Sequence, residues 1–296
     1  MPHKTIDSEL LKLRFAGYST RQIYALLSSN PDYFDLTPKE KMTNLRHFSN
    51  HTTSRYAATY YHKYCTLNVE QIRRKLDESN IEIISIFHPL YPKLIKNIYD
   101  PPLILFCKGN LDLLRGQNYL SIVGSREATS YTEKALKVLM ADLSLYPFVI
   151  VSGLAKGGDC FAHQAALHHH MPTIGVLAFG HHHHYPKETK AVRSIIERKG
   201  LTISEYIPSD PPKKYKFPER NRIISGLAQG VMITESRERS GAQITVDLAL
   251  EQNRNVYVLP GSLFQSLTRG NLKRAQEGAK IVLCAQDIIE DYQQIE

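Results

Sequence analysis

Cysteine is scarce in this chain of 296 residues, which contains four cysteines and no C-x-x-C pair. Their spacing fits no zinc-binding pattern, and scattered thiols are typical of proteins in a reducing compartment. Long apolar runs are also lacking, so the sequence has no segment of membrane-spanning length. The first residues carry charges where a secretory signal has an apolar core. These absences predict a cytoplasmic, soluble protein with no zinc site and no membrane segment.

The chain has a moderate excess of positive charge. Lys and Arg number 37 against 29 Asp and Glu, which gives a formal net charge of +8. This excess favours a polyanionic partner, although charge also serves solubility. Both signs are spread along the chain, which argues against a disordered basic tail. With 42% hydrophobic residues, the chain is long enough for one large domain or two.

Residues 1–80 are predicted to form a small helical domain. Leucine and isoleucine recur at helical spacing within residues 10–27. Further helical patterns run over about 53–64 and 69–76. Small bundles of this kind bind DNA, bind protein or simply pack, and the sequence favours packing or protein contact.

Residues 81–296 show the alternation of an α/β fold. Short apolar runs at 83–87 and 103–106 look like strands, and later runs alternate with helical patterns. The later strands are predicted at 119–123, 148–151, 173–178, 201–204, 231–234, 256–259 and 280–283. This alternation predicts a mostly parallel sheet with helices on both faces, which binds ligands at the carboxyl ends of its strands.

Loops rich in small residues follow the first two of these later strands. Gly124 and Arg126 come directly after the first, where backbone amides and a guanidinium fork suit a phosphate. The second leads into residues 152–159, which contain three glycines and a lysine. That loop is neither a Walker A loop nor a spaced dinucleotide-binding fingerprint. We interpret it as an anion-binding nest, with a tight turn as the alternative.

Four adjacent histidines, at residues 181–184, follow the third of these strands. The run lies inside the chain, which argues against an expression tag. Adjacent histidines cannot all face one ion without distortion, and no Asp, Glu or Cys stands at a recognisable ligand spacing. We therefore predict a polar loop at the mouth of the site, with no metal.

The strongest signal lies in residues 213–227. Three lysines, two arginines, a tyrosine and a phenylalanine stand within residues 213–222. We interpret this segment as a loop before a helix that holds a phosphate chain and stacks a base; a solvated basic loop is the alternative. Small-residue loops recur at 239–245 and 260–262. Together, successive loops along one sheet edge predict a long anion groove.

Several of these segments resemble the signatures of the DprA/Smf family, the DNA-processing proteins of natural transformation. The matching segments are 123–126, 152–159, 185–186, 217–227 and 258–262, with 91–92, 100–102 and 108–110 as a lead-in. The resemblance covers about residues 81–284 and is most specific in the run from Arg220 to Arg222. The chain departs from the family at Gly158, where isoleucine is usual, and at the histidine run, where the family often has an aspartate.

The resemblance implies an extended Rossmann-like, mostly parallel α/β sheet preceded by a small SAM-like helical domain. It also implies a protein that binds single-stranded DNA, protects incoming DNA, and loads the RecA recombinase in place of single-strand-binding protein. The setting would be competence and homologous recombination. A homodimer contact is implied near residues 270–290, with no cofactor. The winged-helix domain of longer members is not seen, so duplex binding is expected to be weak.

The family's binding residues carry over onto individual positions of this sequence. Arg126 would hold a phosphate, and Lys214 and Phe217 would grip the strand, with Phe217 against a base. Arg220 and Arg222 would line the same groove, unless either is paired structurally. The predicted DNA-binding residues are Gly124, Ser125, Arg126, Lys156, Gly157, Lys187, Lys213, Lys214, Phe217, Arg220, Asn221, Arg222, Ser240 and Gly241.

An enzyme is the main alternative, namely a nucleotide-sugar hydrolase of the lysine-decarboxylase-like Rossmann group. Those enzymes resemble this fold but carry a Pro-Gly-Gly-x-Gly-Thr loop, whereas residues 260–264 read Pro-Gly-Ser-Leu-Phe. Glu205, Glu235 and Asp247 are possible acids without an identifiable partner. A pure interaction scaffold leaves the clustered cations unexplained. We therefore expect a DNA-binding mediator and no enzyme.

Overall fold

The computed structural model describes residues 2–51 and 55–293, and the chain divides by contact into two compact units. The first unit comprises Met1–Pro89 with Pro102–Leu105, and the second comprises Leu90–Pro101 with Phe106–Glu296. The first unit therefore extends beyond the helical segment 1–80 expected from the sequence. Thr53, where the second helical pattern begins, lies outside the described residues.

The first unit is mainly helical. Its regular elements are α1 (Pro2–Ala16), α2 (Thr20–Ser29), α3 (Pro38–His51), α4 (Ala57–Thr66), α5 (Val69–Glu78) and the strand β1 (Glu82–Ser85). Apolar side chains that recur at helical spacing form its core. Those with no exposed surface include Leu10, Leu11, Leu13, Ile23, Leu26 and Leu45.

Side-chain caps define where two of these helices begin. Ser19 caps α2, because its hydroxyl accepts from the Gln22 amide while the Gln22 side chain accepts from the Ser19 amide. The same reciprocal pair joins Thr37 and Glu40 at the start of α3, with Pro38 as the first helical residue. The helical patterns predicted from the sequence, within 10–27 and over about 53–64 and 69–76, did not include α3.

The second unit alternates strands and helices. Its strands are β2 (Ile104–Gly109, from Phe106 onward), β3 (Asn118–Val123), β4 (Phe148–Ser152), β5 (Thr173–Leu177), β6 (Leu201–Ser204), β7 (Gly230–Ile233), β8 (Asn255–Val258) and β9 (Lys280–Ile281). Its helices are α6 (Lys93–Lys96), α7 (Ser130–Leu143), α8 (Gly158–His168), α9 (Lys190–Lys199), α10 (Lys216–Leu227), α11 (Gly241–Glu251), α12 (Arg269–Gln276) and α13 (Gln286–Gln293). Within the described residues, no helix is long and apolar enough to cross a membrane.

The strands of this unit lie in the order β2-β6-β5-β4-β3-β7-β8-β9. Neighbouring strands are parallel, except that β2 runs antiparallel to β6. Every residue of β4 and β5 is buried, as expected for a parallel sheet covered on both faces. The predicted α/β fold class is confirmed.

Helices cover both faces of this sheet. Leu120 and Ile122 of β3 point into a core that includes residues of α7, α8 and α13. Ser121, which points to the opposite face, donates its hydroxyl to the Ile224 carbonyl of α10. The alternation along β3 therefore separates the two helical layers and places α10 against the second face.

The chain order reverses at β3. From β3 the chain proceeds outward through β4, β5 and β6, then returns to add β7 on the other side of β3. Val123 at the end of β3 lies level with Ile233 at the end of β7. Loops that leave neighbouring strands in opposite directions open a crevice at their carboxyl ends, and such a point is a common ligand site in α/β folds.

Candidate nucleic-acid interface

A cleft of about 600 Å³ opens at the carboxyl ends of β3 and β7. The loop after β3, the loop after β7 and the first turns of α10 and α11 line it. The predicted residues that line it are Gly124, Ser125, Arg126, Lys214, Phe217, Arg220, Asn221, Ser240 and Gly241. The structure thus brings nine of the fourteen predicted residues to one cleft.

Most of the basic stretch in the sequence, from Lys216 onward, belongs to a helix and not, as predicted, to a loop before one. α10 begins at Lys216 and includes Phe217, Pro218 and both arginines. Proline is tolerated in the first turn of a helix, because the amide it lacks has no intrahelical partner there. Helical periodicity therefore spreads the side chains of this stretch around the axis, and they have different surroundings.

Phe217 stands beside two other side chains of the cleft. Its ring centroid lies 5.6 Å from that of Tyr185 in an edge-to-face arrangement, and the Arg126 guanidinium lies 5.7 Å from the same centroid. A smaller cavity of about 200 Å³ adjoins the cleft, with Phe217, Tyr185 and Lys156 among its lining residues. The half-buried Phe217 ring offers an aromatic surface next to cations, as base stacking requires.

Arg220 is buried beneath the floor of the cleft, with 4% of its surface exposed. Its guanidinium donates to the carbonyl oxygens of Gly153 and Val176 at the ends of β4 and β5. A Cβ atom on Gly153 would lie 2.2 Å from that guanidinium, so glycine leaves room for the arginine here. Arg220 therefore ties α10 to the sheet and offers little surface to a ligand.

The second glycine-rich loop already holds a carboxylate. Asp159 is buried, and its Oδ2 accepts a 3.3 Å hydrogen bond from the Ala155 amide. Burial raises the pKa of Asp159, while the Arg220 charge and backbone amides oppose that rise. The loop thus bonds the protein's own Asp159 carboxylate, and its binding of a ligand anion stays a prediction.

Arg222 was expected to line the groove unless it was paired structurally, and the structure shows it paired. Its Nε lies 2.7 Å from Asp100 and its Nη2 lies 2.9 Å from Glu205, with only 11% of the side chain exposed. A third bond runs to the Glu219 carbonyl. Two carboxylates raise the pKa of Arg222 against the effect of burial, which lowers it. Its position on α10, turned away from the cleft, explains why it is not among the lining residues.

Glycines hold three loops of the cleft floor together. A Cβ atom on Gly158 would lie 2.6 Å from the Gly124 Cα, and one on Gly157 would lie 2.3 Å from the Ser125 carbonyl oxygen. Gly157 also has a positive φ of 78°. The Gly158 amide donates to Ser125, whose own amide donates to the Glu235 carbonyl. These glycines were predicted to let a ligand approach the backbone. In the structure, they let neighbouring backbone segments approach one another.

The first turn of α11 forms the opposite wall. Ser240 is the N-cap residue, and its hydroxyl is hydrogen-bonded to that of Ser236. Asn221 of α10 donates to the Gly241 carbonyl at 3.3 Å, which connects the two helices. A Cβ atom on Gly241 would meet nothing within 4 Å. The amino end of a helix carries partial positive charge, so this wall favours an anion.

The remaining predicted residues are not among those that line the cleft. Lys156 lines the smaller cavity, and Lys187 and Lys213 are exposed elsewhere. The sequence analysis missed Glu127 and Arg237, which form a 2.7 Å ion pair and both line the cleft. Their positions just after β3 and β7 were the available signal, because carboxyl ends of adjacent parallel strands meet at one edge.

The histidine run has structural partners. His181 is buried, its ring contacts Thr202, and burial lowers its pKa to about 3. Arg193 donates to the carbonyl oxygens of His181 and His183. Among the described residues, no group of three His, Cys, Asp or Glu side chains is placed to hold a metal ion.

The three acids considered for an enzyme also have partners. Glu205 pairs with Arg222, and Asp247 pairs with Arg274. Glu235 is buried and accepts hydrogen bonds from the Thr129 amide and from the hydroxyls of Thr129 and Thr132. These contacts give each carboxylate a structural explanation.

Comparison with known proteins connects this architecture to a family. The family model for DNA recombination-mediator protein A matches residues 69–293. The chain belongs to this family. The DNA processing protein DprA of Bacillus subtilis is 42% identical over 214 residues, covering 72% of each chain. DprA of Streptococcus pneumoniae is 35% identical over 290 residues, covering 98% of this chain and 99% of that protein.

Two solved structures of the family are similar to this one. The X-ray structure of DprA from Streptococcus pneumoniae superposes with a TM-score of 0.84 and covers 96% of both chains at 35% identity. A Helicobacter pylori DprA, described for its single-stranded DNA binding mode, superposes with a TM-score of 0.65 at 29% identity. That match covers 73% of this chain and 98% of the other. The resemblance stated from the sequence is therefore confirmed.

Proposed function

We propose that this protein binds single-stranded DNA in the cleft at the ends of β3 and β7. The observation that carries the proposal is one cleft lined by the exposed cations Arg126 and Lys214 and by the half-buried Phe217 ring, with Arg126 5.7 Å from the ring centroid. A strand would place phosphates at the two cations and a base against the ring. The family relationship and the single-strand binding described for the Helicobacter pylori relative support the same function.

The state of the cations supports this assignment. Arg220 and Arg222 are buried and have oxygen acceptors within the protein. Arg126 and Lys214 are exposed, and neither forms an ion pair with any described residue. Neutralising a phosphate with such a cation releases bound counterions, which favours association at low salt. We therefore assign phosphate contact to Arg126 and Lys214, and a supporting role to the two buried arginines.

The experiment is a salt titration of oligonucleotide binding, followed by fluorescence anisotropy. Arg126→Ala should weaken binding of a labelled single strand and reduce the slope of log K against log salt by about 0.7, the value for one phosphate on a single strand. Lys134→Ala is the matched control, because this exposed lysine lies on α7 outside the cleft. An unchanged slope in folded Arg126→Ala would contradict the assignment.

Base stacking is tested separately. Phe217→Ala should cost about 1–3 kcal/mol, or roughly 5- to 150-fold in affinity, with the salt slope nearly unchanged. Phe264→Ala is the control for loss of an aromatic ring, because Phe264 is 97% exposed and does not line the cleft. The cleft geometry also leads us to expect tighter binding of a single strand than of a blunt duplex of equal length.

We further propose that the protein acts as a mediator that loads RecA onto DNA coated by single-strand-binding protein during natural transformation. The cleft has exposed cations and an aromatic ring among its lining residues, and the three acids considered for catalysis have structural partners. A mediator role fits this arrangement and the family description. Strand-exchange assays on coated DNA test it: the protein should shorten the lag before RecA assembly. An unchanged lag would refute this role while leaving DNA binding intact.

A homodimer would increase avidity by presenting two clefts. Within the expected contact region, residues 270–290, Ile288 and Ile289 are buried in the unit and so are not available for a self-contact. Ile281 on the short strand β9 and Leu283 just after it are 47% and 77% exposed. We propose this exposed pair as part of the self-contact. Leu283→Glu should shift the sedimentation of the protein from dimer to monomer, and a wild-type monomer at micromolar concentration would contradict the proposal.

A further inference from the structure

An ion pair joins two loops on the solvent side of the cleft. Arg237, in the loop after β7, donates from its guanidinium to the Glu127 carboxylate, in the loop after β3, at 2.7 Å. Both residues line the cleft, and their side chains are 55% and 67% exposed. The pair therefore lies where a strand bound in the cleft can reach it.

The two loops are joined by other contacts as well. The Ser125 amide donates to the Glu235 carbonyl at 2.7 Å. The buried Glu235 carboxylate accepts from the Thr129 amide and from the hydroxyls of Thr129 and Thr132. An exposed ion pair between long side chains contributes little to stability beside such buried bonds. The fold therefore does not depend on the ion pair, which can open at little cost.

The ion pair also places a negative charge beside a cation assigned to phosphate. Glu127 directly follows Arg126, and its amide donates to the Ser125 hydroxyl at 3.0 Å, which holds its backbone just after β3. The other acid that lines the cleft, Asp159, is buried. Glu127 is thus the exposed acid among the lining residues. Its charge repels a phosphate in the cleft and, in the free protein, occupies the guanidinium of Arg237.

We propose that Arg237 is a third phosphate contact of the cleft, and that Glu127 occupies its guanidinium until DNA replaces the carboxylate. The inference rests on the proposed function, because it requires a strand in the cleft. A guanidinium fork that donates to a carboxylate can donate to a phosphate in the same way. Binding then exchanges one anion for another on Arg237, and the released carboxylate lies beside the strand. Glu127 therefore lowers the affinity and the salt dependence of binding.

The test is a salt titration of single-strand binding by the full chain, followed by fluorescence anisotropy. Glu127→Gln leaves the Arg237 guanidinium free for a phosphate, so the slope of log K against log salt should steepen by about 0.7. If the affinities are equal at 1 M salt, this change corresponds to about 4-fold tighter binding at 0.15 M. Arg237→Gln should weaken binding by about the same factor. Glu251→Gln at the far end of α11 and Arg198→Gln on α9 are the matched controls, because they change the charge of exposed side chains outside the cleft.

The double variant tests whether Glu127 acts through Arg237. When Arg237→Gln is already present, no guanidinium remains to be freed. Adding Glu127→Gln should then tighten binding by less than about 2-fold, against about 4-fold in the wild-type background. An equal gain in both backgrounds would mean that Glu127 only repels DNA, and the exchange on Arg237 would be refuted. A gain no larger than that of Glu251→Gln would refute it as well.

Arg126→Ala separates the failure of this proposal from the failure of the proposed function. If Arg126→Ala weakens binding while Arg237→Gln keeps the wild-type affinity and slope, the cleft binds DNA and the third contact is refuted. If Arg126→Ala itself binds as the wild type does, the proposed function fails and this inference fails with it. Both variants of the ion pair should melt at the wild-type temperature. Lower melting temperatures with unchanged binding would show that the pair serves the fold alone, and would overturn the proposal.

Discussion

Arg220 and Arg222 provide a sharp test of the roles assigned from the structure, because the sequence alone predicts that both contact DNA. Consider Arg222→Met, which keeps the approximate length of the side chain but removes its charge. Glu205, 7% exposed at its side chain, and Asp100, 22% exposed, would lose their cation. Removing one partner of a buried ion pair leaves an uncompensated charge and costs about 3–5 kcal/mol.

This loss converts into a measurable shift of the melting temperature. The second unit holds about 200 residues, and a domain of that size loses about 2–4 °C for each kcal/mol of stability. We therefore expect Arg222→Met to melt about 10 °C below wild type in differential scanning calorimetry, with single-strand binding at 15 °C nearly unchanged. Lys214→Met, which removes an exposed cation, should show the opposite pattern of unchanged melting and weakened binding.

A double variant isolates the cause. Adding Glu205→Gln to Arg222→Met removes the negative charge of a buried carboxylate that has lost its arginine, so part of the lost stability should return. If Arg222→Met melts with the wild type, or if it weakens DNA binding as much as Lys214→Met does, the structural role assigned to Arg222 is wrong.

Three further results are expected. Burial lowers the pKa of His163 and His181 to about 3, so the unfolded chain binds more protons than the folded one between pH 6.5 and 3. In urea unfolding, the free energy of unfolding should therefore fall by about 2 kcal/mol per histidine as the pH drops from 7 to 5. His181→Gln should remove about half of that fall. Gly158→Ala should destabilise the protein by about 1–3 kcal/mol and weaken DNA binding, because its Cβ would meet the Gly124 backbone. The urea midpoint measures the loss of stability, and anisotropy titration measures the loss of DNA affinity. Gly241→Ala should be tolerated in the same assays, because its Cβ would meet nothing within 4 Å, and a loss of stability equal to that of Gly158→Ala would contradict the packing argument.

The α/β layout was predictable because it depends on local patterns. Strands such as β4 and β5 are continuous apolar runs between helical patterns, and burial on both faces requires that composition. Two helix starts at prolines were missed: α3, which begins at Pro38, was not predicted, and the segment that contains Pro218 was taken as a loop before a helix. Both prolines lie in the first turn of a helix, where proline is accepted. Attention to the Thr37–Glu40 pair would have recovered α3.

The position of the cleft was predictable from the sequence, whereas the surroundings of its individual side chains were not. Parallel topology brings Gly124, Phe217 and Gly241 to one edge whatever their side chains do. The partners of Arg222 are 122 and 17 residues away in the chain, and no local pattern indicates such pairing. The sequence shows which residues are cations, whereas long-range contacts determine which of them remain exposed to a ligand.

The glycine contacts between the loops of the cleft floor constrain how this protein can change. The Gly158 amide donates to the Ser125 carbonyl, the Ser125 amide donates to the Glu235 carbonyl, and the Gly124 and Gly158 backbones are in contact. The lengths of the three loops are therefore coupled. An inserted residue in any one of them would break bonds in the other two. The exposed end of the histidine loop, around His184, is not part of this arrangement. We therefore expect an insertion to be tolerated there, whereas an insertion in the floor requires matched changes in all three loops.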